Sequence, residues 1–111
     1  MAIFHKELVA SGQWLTLSLF EQLGNVASEV GRAHKWQGRD RVLYEGAMFR
    51  ALELLDLTLD DPRLKAPQLK EIARAREVIC DAFFGGQEYK SSLEDLDRYF
   101  FQFAFAARRE K

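Results

Sequence analysis

One cysteine, two prolines and two histidines are all that this chain of 111 residues contains of those types. A single thiol, Cys80, cannot close an intrachain disulfide, and the natural setting for such a chain is a reducing compartment, read here as the cytoplasm. His5, His34 and Cys80 are too few to serve zinc. Neither histidine has a glutamate three residues upstream, so the paired Glu-x-x-His motifs of a di-iron bundle are missing. No metal and no other cofactor is therefore expected. Net charge is scarce as well. Lys and Arg number 16 against 17 Asp and Glu, a formal charge of -1, which gives no global field for nucleic acid or acidic lipid. No apolar run approaches the length of a membrane span, so no membrane association is expected. The stretch from Met1 to Gln13 carries His5, Lys6 and Glu7 where a signal peptide needs an unbroken apolar core.

Catalytic motifs are also wanting. Gly85-Gly86 lacks the lysine and the serine or threonine of a phosphate-binding loop, and Ser11, Ser18, Ser28, Ser91 and Ser92 sit in no nucleophile-elbow context. Cys80 falls near the edge of an apolar helical arc, where a cysteine behaves as a small hydrophobe. No catalytic residue is assigned, and the chain is expected not to be an enzyme.

What is present is helix. Hydrophobic residues make up 48% of the chain and charged ones 30%, enough for one folded domain with its own core. The two prolines, Pro62 and Pro67, stand close together, leaving long uninterrupted segments on either side. Residues 1–11 read as a short arm with Ile3, Phe4, Leu8 and Val9, too short for a stable isolated helix. A first helix is expected from about Gln13 to about Gln37, with a stripe of Leu15, Leu19, Leu23, Val26, Val30 and Ala33. Gly24, Ala27, Ser28 and Gly31 line one edge of it, a composition that lets a neighbouring helix come close. Gly38 and Asp40 supply a stop and a new cap. A second helix is expected over about Asp40 to Leu59. Tyr44, Met48, Ala51, Leu52, Leu55 and Leu59 share one face, and Leu43, Ala47 and Leu54 widen it so that two neighbours are touched. The alternation of Leu55, Leu57 and Leu59 with Asp56, Thr58 and Asp60 also fits a strand, but no second strand exists to pair with it. Pro67 suits the start of a third helix reaching about Phe84, with Leu69, Ile72, Ala75, Ile79, Ala82 and Phe83 inward and Gly85-Gly86 as its stop. Ser91 and Glu94 fit a capping box for a fourth helix that turns Leu93, Leu96, Phe100, Phe103 and Ala107 inward and ends near Arg108. Short connections make neighbours antiparallel, so the expected fold is all-α: an antiparallel up-down-up-down four-helix bundle over residues 12–111, preceded by the arm.

Three groups of residues stand out against that background. Arg76 falls in the middle of the third helix's apolar arc, and a guanidinium placed there needs a partner. Asp56 and Glu53 are the best candidates, with Glu29 behind them, giving an internal ion pair or the lip of an interhelical pocket. His34 falls on the apolar face of helix one near its C-terminal end. The aromatics are the most informative: Phe101 and Phe105 point about 100° or more away from the inward face of helix four, and Trp14 lies opposite helix one's main stripe. These three residues mark a possible interface, with a second copy of the chain or with the arm. The run Arg63, Lys65, Lys70, Arg74 and Arg76 is locally basic, but Glu71 and Glu77 interleave, and nucleic-acid binding is the minority reading.

Several runs together resemble a small family of bacterial and archaeal helical-bundle proteins without an assigned activity: Glu29-Val30-Gly31-Arg32-Ala33 with Trp36, Arg50 to Thr58, Leu69-Lys70-Glu71, Arg76-Glu77-Val78, Asp81, Phe84, Glu88-Tyr89 and Tyr99-Phe100. That resemblance covers most of the chain after the arm and implies a self-contained helical domain. The layout is similar, more loosely, to the HEPN bundles, which include RNA-cleaving toxins and the partners of small nucleotidyltransferases. Those nucleases use an arginine followed by a histidine after four to six intervening residues. Neither His5 nor His34 has an arginine at that distance upstream, so the similarity implies a partner role. The function expected from the sequence is a non-catalytic bundle acting through protein contacts, as a homo-oligomer or with another protein. The alternatives are a HEPN-like bundle working beside nucleic-acid or nucleotide-related partners, and a small-molecule binder using a pocket near Arg76.

Overall fold

Ser18 decides where the first long helix begins. Its hydroxyl accepts the Glu21 backbone N–H at 3.1 Å, and the Glu21 carboxylate accepts the Ser18 N–H at the same distance, a reciprocal cap that satisfies two otherwise orphaned donors. The computed structural model describes residues 12–84 and 93–109, apart from the side chains of 93, 104 and 106–109. Within it α1 spans Leu19–Trp36, and the expected start near Gln13 is corrected. The residues before the cap form one 3-10 turn, Gln13–Thr16, followed by extended Leu17. This break rotates the segment: Leu15, expected in the helical stripe, is exposed, while Trp14 turns into the core. The arm, the Gly85-Gly86 stop and the Ser91 cap lie outside the described residues.

The remaining elements follow the sequence closely. Gly38 takes φ 77°, the left-handed geometry that closes α1. The Asp40 carboxylate then accepts the Leu43 N–H at 3.0 Å and opens α2, Arg41–Leu59. Helix formers carry α2 through the alternating leucines to Leu59, so the strand alternative is gone. After the Asp61-Pro62 connector, the Lys65 N–H donates to the Gln68 side chain at 2.9 Å and α3 runs Ala66–Phe83. α4 spans Leu93–Arg109. Every described element is helical, and the fold is an all-α four-helix bundle.

α2 is its central helix. Ala47, Met48, Ala51, Leu52, Leu54, Leu55 and Thr58 are all buried, a span wide enough to meet α1 on one side and α3 on the other. α1 brings Leu23, Val26, Ala27, Val30 and Ala33, and α4 brings Leu96 and Phe100. Full burial of a side chain such as Leu55 or Met48 stabilises the fold by about 1.5–3 kcal/mol. α1 also packs closely on α4. A Cβ added at Gly31 would meet Asp97 Oδ1 at 3.3 Å, so the small edge of α1 does admit its neighbour. α3 is lightly buried, with Ile72 and Ile79 its buried residues and the rest of its apolar arc half-exposed. Its C-terminal end is held by rings: Phe83 meets Tyr44 and Phe49 of α2 edge-on, at 5.6 and 5.1 Å between centroids.

Two buried carboxylates tie these parts together. Glu29, 5% exposed, accepts Arg32 Nη1 and Arg50 Nε, each at 2.6 Å, and so links α1 to α2. Asp61, 4% exposed, links the α2–α3 connector to the N-terminal turn. It accepts Arg63 Nη2 at 2.6 Å and Gln22 Nε2 at 3.0 Å. The same Gln22 nitrogen donates to the Trp14 carbonyl at 3.0 Å, and Arg63 Nη2 also reaches the Leu17 carbonyl at 2.6 Å. Hydrogen bonds from the Arg63 guanidinium, foremost, hold the Asp61 carboxyl down to about 2 from an ordinary 3.8.

Because the folded protein holds this carboxyl low, its contribution to stability is complete above about pH 4 and is lost as pH falls toward 2. Asp61→Asn is expected to cost about 1–3 kcal/mol at neutral pH, the penalty of breaking a buried charged hydrogen-bond set, and to flatten the decline in stability between pH 4 and pH 2. Urea unfolding across that range, followed by circular dichroism, checks both.

Candidate interaction surface

The ion pair expected at Arg76 forms, but at the surface of the bundle and not inside it. Arg76 Nε donates to Asp56 Oδ1 at 2.6 Å and Nη2 to Oδ2 at 3.3 Å, with the two side chains 35% and 53% exposed. Arg76 Nη1 also lies 3.5 Å from Cys80 Sγ. The guanidinium swings off the apolar arc, because Ile72 and Ile79 alone take the buried line of α3 and the long stem carries the charge toward solvent. Glu53 is half-buried on the same helix as Asp56. Glu29, a more distant candidate, is taken by Arg50 and Arg32. Sequence reasoning missed that Arg50 is the cation that reaches Glu29 across from α2 to α1. A signal existed: Gly46, one turn before it, leaves the room that Arg50 Nη1 occupies, 3.1 Å from where a Cβ would stand.

A groove lies between α3 and α4, with a volume of about 280 Å3. Ala75, Val78 and Leu96 give it an apolar floor, and Glu71, Arg74 and Asp95 stand at its edge. Tyr99 closes one side. Its hydroxyl donates to Glu71 at 3.1 Å, and burial, foremost, pushes its pKa up to about 12. Arg74, and not Arg76, is the arginine that lines this groove. Of the basic run on the connector and α3, Arg63 and Arg76 are each neutralised by an aspartate. Among the described residues no group of three or more His, Cys, Asp or Glu side chains is placed to hold a metal ion, and no helix is long and apolar enough to cross a membrane. His34, expected on an apolar face, is exposed, with Nδ1 3.3 Å from Asp97 on α4. The kink at Leu17-Ser18 does not move it. Its position simply falls on the side of α1 that meets the rim of α4.

The three aromatics singled out in the sequence separate. Trp14 is 3% exposed and belongs to the core, so it marks no interface. The 3-10 turn places it there, where a continuous helix would have turned it outward. Phe101 and Phe105 do point outward, at 56% and 51% exposure. They lie one turn apart on α4, behind the inward line of Leu96, Phe100 and Phe103. Beside Phe101, toward the start of α4, is a hollow of about 240 Å3 lined by Glu94, Asp97, Arg98 and Phe101. Arg98 Nη2 donates to Glu94 at 3.1 Å along its rim. Five further large apolar side chains are exposed among the described residues: Leu15 and Phe20 around the start of α1, Val42 and Leu43 at the start of α2, and Phe84 at the end of α3, with Phe20 stacked 6.3 Å from Phe103.

Neighbouring positions on α4 therefore differ sharply in what the fold asks of them. Phe100→Ala is expected to cost about 3–5 kcal/mol, the usual price of emptying a buried aromatic site. Phe101→Ser is expected to stay within about 0.5 kcal/mol of the parent. Thermal unfolding of the two variants separates them. No family model, no curated protein and no solved structure matches this chain.

Proposed function

We propose that this protein is a non-catalytic helical bundle of the cytoplasm that works through protein–protein contact, with the outward face of α4 as its contact surface. The observation that carries the reading is the joint exposure of Phe101 and Phe105 on one face of a helix whose opposite face is already in the core. Aromatic side chains on a rigid helix, rimmed by charge, make an anchor of the kind that dominates interface energetics. The chemistry elsewhere supports the same reading. The side chains best suited to reaction or anion binding are engaged within the fold: Arg76 with Asp56, Arg63 with Asp61, and Glu29 with Arg32 and Arg50.

Photo-crosslinking tests it. A photoreactive phenylalanine analogue at exposed Gln102, beside Phe101, is expected to give discrete protein adducts in living cells. The same analogue at Lys70, on the exposed side of α3, is expected to give none of these bands. Adducts at 102 that vanish when Phe105→Ser is added support the reading. An absence of protein adducts at 102, or an identical pattern from both positions, overturns it.

A further inference from the structure

Most of the described arginines are answered by a carboxylate within the fold. Where acid and base stand one turn apart on a helix, they close on each other: Glu29 and Arg32 pair at 2.6 Å on α1, and Arg41 and Glu45 at 2.8 Å on α2. Glu71 and Arg74 on α3 have the spacing of Glu29 and Arg32, yet they do not pair. Glu71 Oε1 is turned instead to the Tyr99 hydroxyl, 3.1 Å away on α4. Among the described residues Glu71 Oε2 accepts no hydrogen bond and Arg74 pairs with no acid. Both groups stand at the edge of the groove between α3 and α4, above its floor of Ala75, Val78 and Leu96. The bond from Tyr99 thus holds two half-made ion-pair groups open beside a hydrophobic surface.

We propose that this groove binds a free aliphatic α-amino acid, with its carboxylate on Arg74, its ammonium on Glu71 Oε2 and its side chain on the floor. The proposal is independent of the contact face of α4. Positions three apart on a helix are neighbours, about 5–6 Å between Cβ atoms, a separation that the two charged groups of one α-carbon can bridge. A zwitterion therefore completes both half-made pairs at once. A simple carboxylate would meet Arg74 but also the repulsion of Glu71 and of Asp95, which lines the groove from α4. A simple amine would leave Arg74 unanswered. The guanidinium offers the planar, two-pronged donor set that suits a carboxylate. The floor is wholly aliphatic, which selects the side chain. At about 280 Å3 the groove falls just below the roughly 300–1,000 Å3 of drug-sized ligand sites, so the ligand is a small one.

Two-dimensional NMR of the full chain, titrated with L-leucine to about 20 mM, is the test. Saturable shifts are expected at the amides of Ala75, Val78 and Leu96, with a Kd on the order of 0.1–1 mM for so small a ligand. Two analogues each lack one charge: 4-methylpentanoate has no ammonium and 3-methylbutylamine no carboxylate. Each is expected to bind about tenfold more weakly or worse, the usual loss when one charged hydrogen-bond partner is left unmet. Arg74→Gln is expected to weaken leucine binding by a similar factor with helix content unchanged, since the side chain is exposed. Tyr99→Phe keeps the ring and removes only the hydroxyl. It frees Glu71 to close on Arg74 and is expected to weaken binding by about threefold or more, the competition of a new pair one turn apart. No saturable shift up to about 20 mM overturns the proposal, as do shifts confined to residues outside the groove. Either analogue binding as tightly as leucine also overturns it, as does leucine binding that ignores Arg74→Gln or Tyr99→Phe.

Discussion

A buried carboxylate has to be answered by the protein, and Asp61 is answered by two residues. Arg63 grips it from the same connector, Gln22 reaches it from α1, and through Gln22 and Arg63 it holds the carbonyls of Trp14 and Leu17. Buried charge of this kind adds little stability compared with well-packed hydrophobic residues of the same size. Its effect is on arrangement. With Asp61 fixed, the N-terminal turn, the start of α1 and the end of α2 have one mutual position. Trp14 is then delivered to the core, and α3 leaves the connector at a set point. Glu29 does the same further along, clamping α1 to α2 through Arg50. Within this node Trp14 Nε1 and Gln22 Oε1, a buried donor and a buried acceptor, have no hydrogen-bond partner among the described residues.

The helices are legible in the sequence because their signals are local and agree with one another. Asp40 caps, Gly38 stops, Pro62 separates, and the apolar spacing of α2 is broad enough to demand two neighbours. The outward setting of Phe101 and Phe105 is legible for the same reason, since 100° per residue fixes them once Phe100 and Phe103 are inside. Ser18 and Glu21 also spell a capping box, but the apolar residues on either side of it continue one helical stripe. Periodicity hides the break, and Trp14 and Leu15 exchange places as a result. What spacing cannot reveal is the choice of partner between elements. Asp56 sits beside Arg76 on a neighbouring helix and is found, whereas the reach of Gln22 to Asp61 spans 39 positions and depends on a turn that no pattern announces.

The bundle is uneven in how its layers are joined. α1 and α4 pack closely, and Gly31 leaves space for the Asp97 carboxylate. α1 and α2 are joined by a broad apolar face and a buried ion pair. α3 is attached to α2 by two buried isoleucines, an exposed ion pair and a cluster of rings. A protein organised in this way has a firm three-helix body that presents the outer face of α4 rigidly, and a fourth helix on its far side whose attachment is lighter. Rigidity behind the exposed rings limits the ordering cost of any contact they make.

The lighter attachment of α3 has a mechanical consequence. The helix behaves as a beam pinned at both ends, by the Asp61 connector before it and by Phe83 among the rings of α2 at its close. Between those pins its distance from α4 is spanned by a hydroxyl and a carboxylate, Tyr99 to Glu71. The width of the groove is thus set by the reach of two side chains and not by packed backbone. A shorter residue at either position would alter the gauge of the molecule there while leaving both pins in place.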